Sequence, residues 1–173
     1  MTSESTQVSR ENDFIPADED GQFLTFILGN EEYGVDILRV QEIKGWDKAT
    51  PIPNTPDYIK GVINLRGTVV PIIDLRSCFN IGPTEYGKTT VIVVVKVLGA
   101  KGERTMGFVV DGVSDVYTVE KSKLKPAPDF GGNVSSDFIR GLVTVDEKMV
   151  ILLDVDQLVN RGIEQAIEAG SVH

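Results

Sequence analysis

The segment YIKGVINLRGTVVPIIDLRSCF, residues 58–79, decides the fold, because it recurs later in the chain as FIRGLVTVDEKMVILLDVDQLV, residues 138–159. Four of the 22 aligned pairs are identical and twelve set apolar on apolar, whereas chance pairing gives about four. A second match, YGVDILRVQEI at 33–43 on MGFVVDGVSDV at 106–116, supports the repeat. The sequence therefore predicts a duplicated unit of about 60 residues, the size of a small SH3-like barrel.

The composition of the repeated part is that of short strands. β-branched and aromatic residues form runs such as TVIVVVKV and TMGFVVDGV, which end at glycine, proline, asparagine or charged residues. Helical spacing is confined to short pieces and to the last segment, 156–169. We predict an all-β fold with a few short helices, in which two SH3-like barrels share a core and a C-terminal helix follows.

The domain boundaries are predicted from changes in composition. Residues 1–21 are polar and acidic and are expected to form a disordered leader. The folded domain is expected over 22–160, as two lobes at roughly 22–80 and 90–160 that could exchange strands. Residues 161–173 are the expected helix end and tail.

Charge and cysteine content limit the partners and the compartment. The chain has 17 basic and 26 acidic side chains, a net charge of −9, which argues against nucleic acid as a partner. A single cysteine and the lack of an export signal predict the cytoplasm. The longest apolar run, 91–95, is far shorter than the roughly 20 residues of a membrane helix, so we expect no direct membrane insertion.

Arg66 is the residue of the repeat that the duplication does not account for. Its counterpart in the second copy is Asp146, so the fold tolerates the opposite charge at this corner. One interpretation is a structural salt bridge to a nearby acid such as Asp74 or Asp36. The other is an interface arginine, since its planar group binds carboxylates bidentately while its stem covers apolar surface.

The stretch GPTEYGKT, residues 82–89, satisfies the pattern of a nucleotide-binding phosphate loop. Such a loop must lead into a helix, whose N-terminal amides meet the phosphates. Here the next residues, TTVIVVVKV, predict a strand, and the match falls between the two copies. We expect a flexible linker, with a nucleotide-binding protein as the alternative.

Catalytic and metal sites have few candidates. The only histidine is His173 and the only cysteine is Cys78, which aligns with the apolar Leu158 and is expected to be a small buried residue. These counts exclude a His and Cys metal site and leave no convincing catalytic pair. The sequence predicts a binding module that is not an enzyme and needs no cofactor or metal.

Four separated blocks, FLTFILGNEEYGVDILRVQEIKG, NTPDYIKGVINLRGTVVPIIDLR, GFVVDGVSDV and PAPDF, resemble the CheW-like coupling proteins of bacterial chemotaxis. The similarity runs from about Gln22 to Val159. It implies two five-stranded SH3-like β-barrels without catalytic activity. It also implies an adaptor that joins the cytoplasmic tips of transmembrane chemoreceptors to the regulatory domain of the histidine kinase CheA, in arrays that can include further copies of the chain. An adaptor of the same family serving another receptor and kinase pathway stays an alternative.

The resemblance also assigns site residues. Its receptor-contacting arginine corresponds to Arg66 and its acidic position to Glu42, with Val40 and Gly61 nearby. The kinase-facing side corresponds to Lys125 and Phe130. Lys125 stands where the family more often has arginine, and the acidic leader has no counterpart in the family.

Overall fold

The computed structural model describes residues 21–82, 85–99, 102–126 and 138–163. These residues form ten strands and five short helical turns. The strands are β1 (Gly21–Leu28), β2 (Glu31–Asp36), β3 (Val40–Gly45), β4 (Ile59–Leu65), β5 (Thr68–Asp74), β6 (Val91–Gly99), β7 (Gly102–Val110), β8 (Gly112–Val119), β9 (Ile139–Val145) and β10 (Lys148–Leu153). The helical turns are 3₁₀ at Ile37–Arg39 and Lys121–Lys123, α at Leu75–Cys78 and Val155–Gln157, and π at Leu158–Ile163.

The strands form two five-stranded sheets with the same plan. Sheet I has the order β3-β6-β7-β5-β4 and sheet II the order β8-β1-β2-β10-β9. Each contains one parallel pair, β5 with β7 and β2 with β10, among antiparallel neighbours. The predicted all-β class with a few short helices and two five-stranded units is confirmed.

The sheets exchange strands between the two halves of the sequence. Counting along the chain, β1 to β5 correspond to β6 to β10, yet sheet I combines β3, β4 and β5 with β6 and β7. Sheet II combines β1 and β2 with β8, β9 and β10. Each sheet therefore depends on both copies of the repeat.

Strand β6 shows why its sequence is an unbroken apolar run. Ile92 and Val94 pack inside sheet I with Val70 and Ile72, whereas Val93, Val95 and Val97 face a larger cluster that both sheets share. A strand buried on both faces needs no polar alternation. The shared cluster joins residues of both sheets, among them Leu24, Phe26, Phe108 and Leu153, and sheet II has its own inner cluster around Phe23 and Val143.

The glycine that both copies share lies where the chain closes each sheet. Thr50 pairs with Val62 next to Gly61, and Lys125 pairs with Leu142 next to Gly141. We call the stretches that contain Thr50 and Lys125 the closing segments. A Cβ on Gly61 would stand 1.9 Å from the Thr50 carbonyl oxygen, so only glycine permits the approach.

The aspartate that both copies share caps a helical turn. An Asp74 carboxylate oxygen accepts the Arg76 N–H at 3.0 Å, and an Asp154 carboxylate oxygen accepts the Gln157 N–H at 3.1 Å. Each compensates an N–H that the start of a helix leaves unpaired. The identities of the repeat are thus requirements of the scaffold.

The ends of the chain bear on two predictions. β1 begins at Gly21, and the predicted leader upstream of it lies outside the described residues. Of the predicted C-terminal helix, the structure describes helical turns as far as Ile163, and the rest lies outside the described residues. Within the described ranges, every helix is too short or too polar to cross a membrane.

Candidate functional site

Arg66 occupies the first position of a tight two-residue turn between β4 and β5. Its φ is 52° and that of Gly67 is 88°, and the Gly67 N–H donates to the Asn64 side chain at 2.8 Å. Positive φ at both positions is typical of the turn that best matches the twist of a hairpin, where Asn-Gly and Asp-Gly are favoured. The turn itself therefore gives no reason for arginine.

The guanidinium of Arg66 donates a hydrogen bond to the carboxylate of Glu42 on β3. This hydrogen bond and the negative charge of Glu42 raise the pKa of Arg66. Because β3 and β4 are the two edges of sheet I, the ion pair joins edges that share no strand pairing. The suggested pairing of Arg66 with Asp74 or Asp36 is wrong.

Sheet II closes the equivalent corner with different chemistry. Asp146 holds the turn position of Arg66, with a φ of 52°, and its carboxylate lies close enough to Tyr117 on the edge strand β8 to raise the pKa of the tyrosine. Partial burial raises the pKa of Tyr117, and so do the negative charges of Asp146, Asp115 and Glu32. The corner can thus be closed without a cation, so Arg66 is a feature of sheet I alone.

Val40 and Gly61, the other two residues assigned to the receptor side, are less accessible. Val40 is half-buried against the shared core, and Gly61 is buried beneath Thr50. The structure brings Arg66 and Glu42 together at the surface. Gly61 instead lies against the Thr50 carbonyl, where it allows the backbone of the closing segment to approach β4.

Two exposed apolar residues on β3 and β5, the strands that adjoin this pair in sequence, were not predicted from the sequence. Ile43 follows Glu42 on β3 with 46% of its surface exposed, and Val69, near the Arg66 turn on β5, is 63% exposed. The aligned residues of the second copy, Val116 and Met149, are also apolar and exposed, so both sheets keep apolar side chains at these two surface positions. Exposed apolar residues next to a charged pair are typical of protein interfaces.

Lys125, assigned to the kinase side, lies on the closing segment of sheet II. Its backbone exchanges two hydrogen bonds of 2.8 Å with Leu142, while the residue itself is exposed. It borders a groove of about 440 Å³ that also includes Met149. Phe130, the second residue assigned to this side, lies outside the described residues.

The described part of 82–89 excludes a phosphate loop. Lys88 stands in a turn and strand β6 begins at Val91, so the helix that such a loop requires is replaced by a strand. The Thr89 hydroxyl, which would have to face a metal ion, donates to the Asp111 carbonyl at 2.8 Å. The alternative of a nucleotide-binding protein is wrong.

We expect Lys88→Ala to leave thermal stability and partner binding unchanged, because the described Lys88 is exposed and lies in a turn. Calorimetric titration with magnesium and ATP should show no binding to the unchanged chain or to the variant. Nucleotide binding that disappears in the variant would contradict this prediction.

The linker is held by an aromatic stack that the sequence did not indicate. The Tyr86 ring lies 4.2 Å from the Trp46 ring at an angle of 17°, and its hydroxyl donates to the buried Asp74 at 3.0 Å. Burial and the negative charge of Asp74 raise the pKa of Tyr86. The described end of the linker is thereby held against Trp46, directly after β3, the strand that carries Glu42.

Two partly buried ion pairs at the junction of the sheets were also missed. Arg39 donates two hydrogen bonds to Asp156, of 2.8 and 2.6 Å, and Arg76 donates to Asp111 at 2.7 Å. Arg76 and Asp156 are aligned in the repeat, and their partners Asp111 and Arg39 fall one position apart in the second match, so the two pairs occupy related places with reversed charge. The sequence indicated these ion pairs only by the exchange of Arg76 for Asp156 between the two copies.

The described residues contain neither a reactive thiol nor a metal-binding cluster. Burial, and then the charge of Asp74, raise the pKa of Cys78 to about 12, so the thiol is protonated at neutral pH. In the part of the chain that the structure describes, acids, cysteine and histidine form no cluster that could hold a metal ion. The described surface offers the Arg66 and Glu42 ion pair and exposed apolar side chains on sheet I, and the groove at Lys125 on sheet II.

Comparison with known proteins agrees with this picture. A model of the CheW-like domain matches residues 22–162. The chemotaxis protein CheW of Klebsiella aerogenes is 49% identical over 139 residues, which cover 80% of this chain and 81% of that protein. The probable chemotaxis protein CheW of Rhizobium etli is 35% identical over 147 residues, which cover 85% and 92%.

A solved structure extends the similarity to the fold. The scaffolding protein TtCheW from Thermoanaerobacter tengcongensis superposes with a TM-score of 0.72 at 33% identity, covering 84% of this chain and 90% of its own. The resemblance that the residues indicated is confirmed. The chain belongs to the CheW-like domain family, the non-catalytic scaffold proteins of bacterial chemotaxis.

Proposed function

We propose that this scaffold couples the cytoplasmic tips of transmembrane chemoreceptors to the regulatory domain of the histidine kinase CheA. It would act in the cytoplasm, where the receptors recruit it to membrane-associated arrays. The observation that carries the proposal is the Arg66 and Glu42 pair, because sheet II closes the same corner without a cation. A residue pair that the fold does not require is free to serve recognition.

The receptor side consists of Arg66, Glu42 and the exposed apolar residues Ile43 and Val69. Arginine has five N–H donors; among the described residues Arg66 donates a hydrogen bond to Glu42 alone, and 73% of its side chain is exposed. Donors therefore remain for a carboxylate on a receptor helix. The apolar neighbours can cover the apolar face of that helix, as in other grooves that bind helices.

Arg66→Gly is the sharpest test of this side. Glycine accepts a φ of 52° more readily than arginine, so the variant should fold at least as stably as the unchanged chain. Binding to a receptor cytoplasmic fragment should weaken by about tenfold or more, as for a hot-spot arginine. Binding can be measured by calorimetry and stability by urea unfolding.

Asp146→Gly is the matched control, because Asp146 has the same φ at the equivalent turn of sheet II. It should leave receptor binding unchanged. If the two variants weakened binding equally, or if Arg66→Gly lost stability in proportion to binding, Arg66 would be a structural residue.

The kinase side is proposed around Lys125, which lies on sheet II, together with Phe130, which lies outside the described residues. We expect Lys125→Glu to weaken binding of the CheA regulatory domain by about tenfold, mainly through a lower association rate that depends on salt, because Lys125 is an exposed charge. Receptor binding should stay unchanged. Surface plasmon resonance at two salt concentrations measures both.

Lys48→Glu is the control for charge, since it makes the same change on an exposed residue near the closing segment of sheet I. Equal effects of the two variants would assign the loss to net charge rather than to the site. A CheW-like adaptor of another pathway would fail both binding assays while retaining the fold. Neither binding site needs a high affinity, because an array combines many weak contacts at high effective concentration.

A further inference from the structure

A groove on sheet II has a basic rim and an apolar floor. Lys123 and Lys125 lie on one wall, and the apolar lining includes Leu142, Val143 and Met149. Met149 is 56% exposed, and the Lys123 side chain is 67% exposed although it lies 3.6 Å from Glu120. We call this feature the lysine-rimmed groove.

The N-terminal segment enters the fold next to this groove. β1 begins at Gly21, which pairs with Val119 at the end of β8. From Val119 the chain runs into the turn Lys121–Lys123, at the wall of the groove. An extended chain spans about 3.3 Å per residue, so residues 11–20 reach farther than the length of a typical strand, about 17–20 Å.

The composition of this segment matches the groove. Residues 11–20, ENDFIPADED, contain five acids and no base, around the apolar triplet Phe14, Ile15 and Pro16. The acids suit the two lysines and the triplet suits the exposed Met149. A second groove that Met149 also borders, of about 340 Å³, carries Glu31 and Glu32 against the single base Lys148, which lies 3.9 Å from Glu32, so it suits an acidic segment less well.

We propose that residues 11–20 dock in the lysine-rimmed groove of their own chain, with the acids at Lys123 and Lys125 and the apolar triplet on Met149. Because the segment is tethered at Gly21, its effective concentration at the groove is high, so weak contacts suffice. Docking covers Lys125, and a partner that binds there must displace the segment. That consequence rests on the proposed kinase side, whereas docking is a property of the chain alone.

A nitroxide label on a Ser5→Cys variant tests the docking by NMR. The partly buried Cys78, whose pKa is raised to about 12, reacts slowly and leaves the label at position 5. The amide signal of Thr144, in the groove, should lose intensity, and that of the equivalent Asn64 in sheet I should not. High salt should restore the Thr144 signal, because it screens ion pairs between exposed groups.

Charge reversal completes the test. Lys123→Glu with Lys125→Glu should abolish the loss at Thr144, while the matched pair Lys48→Glu with Lys88→Glu, exposed residues near sheet I, should preserve it. Equal broadening of Thr144 and Asn64, or broadening that survives reversal of both groove lysines, would overturn the proposal. Lys125→Glu would still report on the kinase side, so the two ideas fail separately.

Discussion

Asp156→Ala is expected to lower the free energy of unfolding by about 3 kcal/mol, the lower end of the cost of removing one partner of a buried ion pair, because the Arg39 side chain is 8% exposed and that of Asp156 is 27% exposed. The two hydrogen bonds from Arg39 to Asp156 hold the turn after β2 against the helical turn after β10. Asp156 also accepts the Leu98 N–H at 2.8 Å. The variant therefore removes a carboxylate that ties three parts of the chain.

Urea unfolding measures the effect with two probes. Trp46 is the only tryptophan and stacks on Tyr86, so its fluorescence reports on sheet I, and circular dichroism reports on both sheets. Because the sheets exchange strands, both probes should shift together. Separate transitions would show that the lobes unfold independently.

Two controls separate burial from charge. Glu103→Ala removes an exposed ion pair with Lys96, 3.8 Å apart, and should cost less than about 1 kcal/mol. The double variant Arg39→Met with Asp156→Leu should regain much of the lost stability, since apolar pairs often replace buried ion pairs. A loss for Asp156→Ala no larger than for Glu103→Ala would contradict a structural role for the pair.

The sequence predicted the fold because the repeat records which residues the scaffold needs. Gly61 and Asp74 are identical in the two copies, and the structure explains both, one by a close backbone approach and the other by a helix cap. The exchange of strands was left open, because a strand carries the same apolar pattern whichever sheet it joins. The exchange is seen only in the pairings of β1 with β8, β2 with β10, β3 with β6 and β5 with β7.

The site was predictable in part, for a related physical reason. Arg66 departs from the repeat, so its distinct role was visible, and its link to Glu42 came from the family resemblance. Asp74 and Asp36 were plausible partners in sequence, but Asp74 is buried and occupied with a helix cap and the Tyr86 hydroxyl. Contacts between the edges of a curved sheet depend on how the sheet closes, which local patterns do not encode.

Gly61→Ala is expected to cost about 3 kcal/mol or more, from two sources that add at one residue. A φ of 130° lies in a region that residues with a Cβ rarely adopt, and the added methyl would stand 1.9 Å from the Thr50 carbonyl oxygen and 3.0 Å from the Pro51 Cα. Backbone cannot rotate away as a side chain can. The closing segment would have to leave β4, which also exposes the Ala49 side of the inner cluster of sheet I.

Gly67→Ala is the matched control for Gly61→Ala, and the comparison decides how Gly61 affects binding. Gly67 has a φ of 88° but no neighbour within 4 Å of an added Cβ, so only the strain of the backbone remains, about 1 kcal/mol. If Gly61 acts through the closing segment, the loss of receptor binding by Gly61→Ala should follow the loss of folded protein. When binding is measured at a series of urea concentrations, the variant should bind again wherever the urea is low enough for it to fold. A variant as stable as the unchanged chain that no longer binds the receptor fragment would instead make Gly61 a direct contact, as the family resemblance suggests.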